Sequence, residues 1–387
     1  MARWKYGLIL TLALCLMVVG LTTCAKKEAK VYKVGAVFAI TGPASFLGEP
    51  ERNTVQMLVD QINQAGGING DSLKVIIEDT VGDETKTVNA VNKLIHKDNV
   101  LAIIGPSRSG STMAIIPIVQ EAEVPLISCA AAETIVEPVK ERYWVFKTPQ
   151  KDSDAVIRIY EHMQSKGISK VALMTGTTGF GAAGRKQLKK YAEKMEITIV
   201  ADETYGPRDT DMTPQLTKIK ATDAQAVINW SIVPAQTIVA KNMQQLGMTI
   251  PLYQSHGFGN IKYARGAGEA AEGLIFPAGR LLVADLLPDD HPQKAVLVKY
   301  KQEYEARFKD DVSTFGGHAY DALMLVVEAL KAVGPDRAKI RDYIENTKGF
   351  AGTGGVFNFS PTDHNGLTKE AFAMMTVKNG RFVPLEE

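Results

Sequence analysis

Apolar and polar positions along the chain alternate between two periods. Residues 33–40 form an apolar-rich run that predicts a buried strand. Val55, Leu58, Val59 and Ile62 then recur at i, i+3, i+4 and i+7, the spacing of one helix face, and Gly66-Gly67 stops that helix. The succession continues with strand 73–78, helix 84–97, strand 100–104, a helix from about 111 to 122, strand 125–128, and an extended run at 144–148 closed by Pro149. It restarts with helix 152–165, strand 170–175, a helix after Gly181, strand 197–203, helix 214–220, strand 226–230, helix 234–246 and strand 252–255. A strand at 273–276, helical stretches near 291–307, 318–333 and 335–347, a glycine-rich patch at 349–355 and a late strand at 371–377 complete the pattern. Strands separated by helices predict parallel sheets with right-handed crossovers, and two such βαβαβ blocks predict an α/β fold of two lobes rather than one sheet. An eight-fold barrel needs evenly spaced units, which the helix-rich stretch 291–347 does not supply.

The first two dozen residues follow neither period. Arg3 and Lys5 precede an almost wholly apolar run over 8–21, shorter than the roughly 20 residues of a membrane span but suited to an export signal. The run ends at Leu21-Thr22-Thr23-Cys24, and residues 25–30 are mostly polar. This resembles the processing site of a bacterial lipoprotein, with a signal peptide at 1–23, a lipidated Cys24 and a linker at 24–32. Thr23 departs from the small residue usual before such a cysteine, and an ordinary cleaved signal is the alternative. Either way the mature chain is exported. Its 44 Lys+Arg against 43 Asp+Glu leave a net charge of +1, with no basic excess to neutralise phosphates, so nucleic acid is not an expected partner. Three cysteines give no disulfide framework, and Cys129 reads as a buried thiol.

In open parallel sheets ligands sit outside the carboxyl ends of the strands, which nominates loops 41–46, 107–112, 130–133, 177–181, 231–234 and 256–259. Their residues are small, hydroxylic and aromatic. The run from Gly105 to Thr112 leaves a strand and enters a helix, so free N–H groups and the positive helix end face the cleft, with hydroxyls from Ser109, Ser111 and Thr112. Such a turn suits a carboxylate or phosphate, worth up to about 2 kcal/mol when partly buried; a simple helix cap is the alternative. Gly179-Phe180-Gly181-Ala182-Ala183-Gly184 spells G-x-G-x-x-G after a strand, with Asp202 at the end of the next, which is a dinucleotide fingerprint in outline. Gly176-Thr177-Thr178 intervenes where that fingerprint wants a tight turn, and Phe180 would project where a pyrophosphate must approach. The six histidines are at least 27 residues apart, so no metal-ligand spacing exists, and no catalytic set, metal or cofactor is expected. His256 alone falls in a cleft loop, as a turn residue or a ligand contact.

The order of motifs resembles the leucine/isoleucine/valine-binding protein family. The residues that carry it are Gly35-Ala36-Val37, Thr41-Gly42-Pro43-Ala44, the run Ile62 to Gly70 (Ile-Asn-Gln-Ala-Gly-Gly-Ile-Asn-Gly), Ile103-Ile104-Gly105-Pro106 and Val124-Pro125-Leu126-Ile127-Ser128. The resemblance spans about residues 33–377. It implies a type I periplasmic binding protein: two Rossmann-like lobes joined by three hinge crossings, working as the monomeric solute receptor of an ABC importer. On that template lobe one comprises 33–148 with 279–349, lobe two comprises 149–278 with 350–387, and the crossings lie near 148–150, 276–279 and 349–356.

Carried over by motif, the ligand's carboxylate falls at Ser109-Gly110-Ser111-Thr112, and its α-ammonium at the Ala130 carbonyl and at a threonine position that is here Ala132. A second-lobe glutamate position holds His256, two tyrosine positions hold Phe180 and Ile232, with Trp230 nearby, and the first-loop aromatic residue is Phe46. A buried ammonium without acceptors costs several kcal/mol. The expected ligand is therefore an apolar or aromatic monocarboxylate, with Phe46, Phe180, Trp230 and Phe258 as walls and His256 donating to its polar end. The alternatives are a branched-chain amino acid with Glu133 as ammonium partner, a ligand-sensing receptor, or an exported dinucleotide-binding enzyme.

Overall fold

The computed structural model describes residues 30–386. The export signal and Cys24 lie outside the described residues.

The first sheet has five parallel strands, β1 (Val31–Phe38), β2 (Ser72–Asp79), β3 (Ile103–Ile104), β4 (Leu126–Ser128) and β5 (Val145–Lys147), in the order β2-β1-β3-β4-β5. Helices α1 (Ser45–Gln64), α2 (Glu84–His96) and α3 (Ser109–Glu121) make its crossovers. Because helices cover both faces, β1 is apolar on both: Val34, Ala36, Phe38 pack into one core and Val37 into another. The chain then forms a second sheet. Its parallel strands are β6 (Lys170–Gly176), β7 (Thr198–Tyr205), β8 (Ala226–Trp230), β9 (Leu252–Gln254) and β10 (Ile275–Gly279), alternating with helices α4 (Asp152–Ser165), α5 (Gly179–Ala192), α6 (Thr213–Lys220), α7 (Gln236–Gln245) and α8 (Ile261–Ala267).

After β10 the chain returns to the first lobe. Helices α9 (Lys294–Phe308), α10 (Thr314–Val333) and α11 (Arg337–Glu345) follow, then a small hairpin of β11 (Phe350–Ala351) and β12 (Val356–Phe357). Helix α10 packs Ala319, Leu323, Val326 and Leu330 against the first sheet's core. The chain ends as β13 (Phe372–Lys378) and β14 (Arg381–Pro384), antiparallel additions beside β10 that give the order β14-β13-β10-β9-β8-β6-β7.

Two expectations change. The family template puts residues 350–367 in lobe two, but Phe357, Phe359 and Leu367 are buried in the first sheet's core, so the third crossing falls between Leu367 and Phe372 rather than at 349–356. The glycines at 352, 354 and 355 serve close packing instead: a Cβ on Gly352 would stand 2.5 Å from the Asp321 carboxylate. The pattern predicts Phe46 in a loop, but Gly42–Ala44 form a single 3-10 turn that runs straight into α1, putting Phe46 in its first turn. The hairpin strands and β14 are too short for any periodicity to announce them.

The first crossing is pinned by a buried lysine. Lys147, at the end of β5, is fully buried and donates to the carbonyls of Ala131 (2.9 Å), Pro149 (2.8 Å) and Gln150 (3.1 Å). Three acceptors match the three donors of an ammonium. Asn365 ties the far end of the chain to the same place, donating to the Lys147 and Pro149 carbonyls at 3.2 and 2.8 Å. Lys147→Met strips three buried carbonyls of their donor, and is expected to lower unfolding stability by about 3 kcal/mol in urea titrations. An unchanged midpoint would show that the carbonyls find other partners.

Candidate functional site

Both lobes present a strand-to-helix turn at the cleft between them. In lobe one the turn begins at Gly105, whose φ of +86° and whose approach to the Val37 carbonyl (2.3 Å from a would-be Cβ) exclude any side chain. Helix α3 then starts at Ser109 with Arg108 as an N-cap that supplies no side-chain acceptor. Ser107, Ser109, Ser111 and Thr112 are all buried. Ser109 Oγ accepts the Ala132 N–H at 3.4 Å, and Thr112 Oγ1 pairs with Ser128 at 2.9 Å, while Ser111 Oγ has no partner.

In lobe two, β6 runs through Thr177 into α5, capped by the Thr178 hydroxyl accepting from Gly181 N–H at 3.3 Å. The three glycines of the G-x-G-x-x-G run are each explained by packing. A Cβ on Gly181 would meet the Gly176 carbonyl at 1.8 Å, one on Gly184 would meet the Trp230 indole at 2.0 Å, and one on Gly179 would stand 2.8 Å from the Gly110 nitrogen across the cleft. Asp202, the supposed ribose partner, is held by Arg185 at 2.7 Å and by Lys189. The motif is a close-packing motif, not a nucleotide cradle.

Where the two turns meet, Leu47, Ser107, Ser109, Cys129, Ala130, Ala131, Pro149, Phe180, Ile232, His256, Gly257, Phe315 and His318 enclose a cavity of about 330 Å³ between atoms. It is narrow, and only about 20 Å³ of it admits the centre of a water molecule. None of its lining residues is an acid, a lysine or an arginine. Its polar groups are two serines and two histidines. His256 has partners on neither ring nitrogen and stands edge-on to Phe180 (5.2 Å between centroids), Trp230 (5.5 Å) and Phe372 (5.5 Å). Burial pushes both imidazoles down, His256 well below the ordinary histidine range and His318 to about 3, and the Lys147 charge acts in the same direction.

Five of the candidate ligand residues, Ser109, Ala130, Phe180, Ile232 and His256, line the cavity. The others do not. Phe46 packs edge-on to Tyr263 at 5.3 Å, and its neighbour Leu47 takes the wall. Gly110 is spent on the contact with Gly179, and Ser111 and Ala132 sit one layer behind. Trp230 lies fully buried beneath Phe180, and Phe258 belongs to a ring cluster with Tyr263 and Phe276 in the lobe-two core. Glu133 is also outside the lining. It accepts from Ser153 (2.9 Å) and from Gln187 (2.7 Å), with Lys190 at 3.6 Å. Burial works to raise its carboxyl, but those two bonds and the lysine charge outweigh it and hold it below the usual range. Glu133 therefore latches lobe one to α5 of lobe two. Asn260 does the same on the other side, donating to the Phe46 carbonyl at 2.9 Å.

Sequence reasoning missed Phe315 and His318. Both sit in the first turns of α10, capped by Ser313 accepting from Gly316 N–H at 3.4 Å. The signal was present as Ser313-Thr-Phe-Gly-Gly-His318 ahead of an apolar helix, but α10 follows no strand, so the strand-end rule passed over it. A larger, open depression of about 1230 Å³ between atoms lies outside the cleft, among Arg158, Glu161, Arg280 and Met374. Among the described residues no group of His, Cys, Asp and Glu is arranged to hold a metal ion, and no helix is long and apolar enough to cross a membrane.

Two α/β lobes whose helix N-termini meet over a shared cavity define a two-lobed solute-binding protein. The chain belongs to the periplasmic binding protein family, whose model matches residues 31–381, and within it to the Leu/Ile/Val-binding type. It is 26% identical over 311 residues, 79% of each chain, to the leucine-, isoleucine-, valine-, threonine- and alanine-binding protein of Pseudomonas aeruginosa. Among solved structures it is similar to an extracellular ligand-binding receptor from Rhodopseudomonas palustris HaA2 (TM-score 0.86, 28% identity, 92% of this chain and 100% of that one). It is similar also to a branched-chain amino acid transporter substrate-binding protein from Streptococcus pneumoniae, solved with isoleucine (TM-score 0.81, 28% identity, 91% and 98%). The family consists of exported solute-binding proteins, not enzymes, that work with ABC transporter permeases.

The neutral histidines set a pH dependence. Folded, His318 stays neutral down to about 3, while the unfolded chain takes up that proton below about 6.5. Stability is thus intact above pH 6.5 and falls as pH drops, by up to ~1.4 kcal/mol per unit for each such histidine. Urea midpoints between pH 7 and 5 should fall more steeply for the wild type than for His318→Gln. Parallel profiles would mean that His318 takes up its proton in the folded protein as readily as in the unfolded chain.

Proposed function

We propose that the protein is the solute receptor of an ABC importer, anchored through a lipidated Cys24, and that it binds an apolar or aromatic monocarboxylate between its lobes. The observation that carries this reading is the charge-free lining. A carboxylate has the uncapped N-terminus of α3 and the Ser109 hydroxyl to meet it, while an α-ammonium finds no carboxylate, only neutral acceptors: backbone carbonyls, serine hydroxyls and imidazoles. Glu133, the remaining candidate for an ammonium partner, is engaged in the latch to α5. The names of the relatives favour a branched-chain amino acid instead, and one calorimetric screen separates the two. Benzoate and phenylpropenoate should bind, more weakly in Ser109→Ala and His256→Ala, with leucine, isoleucine and valine silent. Tight leucine binding that disappears in Glu133→Ala would overturn the acid reading.

A ligand larger than water enters only when the lobes part, since the Gly110–Gly179 contact and the Glu133 and Asn260 bonds hold them together. The proposed hinges are the crossings at 148–150 and 367–372 and the point where the chain leaves β10 at Gly279, the end of the 276–279 segment expected as the second crossing. Gly179→Val puts a branched side chain where 2.8 Å separates a Cβ from the Gly110 nitrogen. It should prop the lobes open, weakening the acid about tenfold or more and removing ligand-induced compaction in small-angle scattering. Unchanged affinity and compaction would refute closure through this contact.

A further inference from the structure

Ser107 lines the cavity two residues before Ser109, and its bonding is unusual. Its Oγ accepts the Ala39 N–H at 3.0 Å and sits in a short hydrogen bond with Oε2 of Glu51. Glu51 is fully buried in α1, and among the described residues no lysine or arginine side chain pairs with it and its other oxygen, Oε1, has no partner. An ionised Glu51 would leave a buried charge stabilised by one hydroxyl alone. A proton on Oε1 would leave a buried donor with nothing to receive it, whereas a proton on Oε2 has Ser107 Oγ as its acceptor. Burial supports the protonated form, pushing this carboxyl well above the usual range against the opposing Ser107 bond.

With Glu51 and Ala39 both donating, the two lone pairs of Ser107 Oγ are filled. Its own hydrogen is then left over, and Ser107 lines the cavity, where that hydrogen can be donated. Arg108, between the two serines, is extended (φ −123°, ψ 142°), so both hydroxyls lie on one side of the backbone, roughly 6–7 Å apart at the Cα atoms. Ser109 and the helix end address the carboxylate, and Ser107 reaches the atom attached next to it. We propose that Ser107 is a specificity-determining residue that donates to a carbonyl oxygen beside the ligand's carboxylate, with Glu51 as its positioning residue, and that the ligand class is accordingly a 2-oxo acid. The inference rests on the ligand being an acid without an ammonium group. It adds the reason a given carbon skeleton is preferred in its oxo form: the donor faces the position where an amino acid carries its own donors.

Calorimetry on the wild-type protein with two matched series tests this: phenylpyruvate, phenylpropanoate and phenylalanine, and ketoleucine, isocaproate and leucine. Within at least one series the oxo acid should bind about tenfold tighter than the unsubstituted acid, with the amino acid weakest. Ser107→Ala should erase that preference by weakening only the oxo acid, while the unsubstituted acid is unchanged. The infrared carbonyl band of a protonated carboxyl should be present at neutral pH and lost in Glu51→Gln. Equal binding of oxo and unsubstituted acids to the wild type would overturn the role of Ser107 and leave the acid reading standing. Absence of the band would overturn the role of Glu51. Binding of the amino acids alone would overturn the acid reading and this inference together.

Discussion

The ammonium of Lys147 is the interaction on which the cleft depends. It sits at the end of β5, where the chain leaves one lobe for the other, and bonds both the crossing (Pro149, Gln150) and the cavity wall (Ala131). Burial pulls this lysine below its usual range, with the nearby Asp152 carboxylate working against that shift. Three carbonyls arranged for three N–H donors fit the charged form, because a neutral amine would turn a lone pair toward an acceptor. The consequence reaches the ligand site. Burial keeps a proton off His256 and His318 and the same charge adds to that effect, so one buried cation fixes the wall's position and reinforces its protonation state.

Closure depends on the opposite device, the absence of side chains. Helix N-termini from the two lobes approach until Gly110 and Gly179 touch, and both ends carry positive partial charge. Two like dipole ends brought together repel weakly, and an anion between them would turn that repulsion into attraction. The bonds at Glu133 and Asn260 join the same two lobes. Hydrogen bonds between neutral or half-exposed groups contribute about 1 kcal/mol each, small enough for the lobes to part and rejoin.

Much of this was legible in the sequence. Helix α4 and strand β8 fall at the residues their periodicity indicates, and the lobe-one turn was found from small and hydroxylic residues following a strand. What escaped was non-local. Residues 350–367 are rich in glycine and short strands, and only packing against α10 assigns them to lobe one. Phe315 and His318 reach the cavity from a helix that follows no strand. Phe258 and Trp230 were read as walls because aromatic residues suit apolar ligands, but each is also what a lobe-two core needs, and core packing claimed both. Ser107 was passed over as a neighbour of Ser109. Its significance appears only with Glu51, which is 56 residues away in the chain and shows nothing in its local pattern.

The charge-free lining and the charged surroundings belong to one electrostatic design. An anion entering a closed apolar chamber loses its hydration, a cost of several kcal/mol unless fixed dipoles replace it. The α3 N-terminus and the serine hydroxyls are such dipoles, held in place before any ligand arrives, and the Lys147 charge one layer behind adds to the same positive potential. On the proposed reading that field is indifferent to the ligand's apolar end, which would meet Leu47, Phe180, Ile232 and Phe315. It is unfavourable to a second, positive charge on the ligand, and the lining offers no carboxylate to offset it. On the proposed reading, discrimination between an acid and the corresponding amino acid therefore needs no clash. It follows from building the anion's half of the site and leaving the cation's half unbuilt.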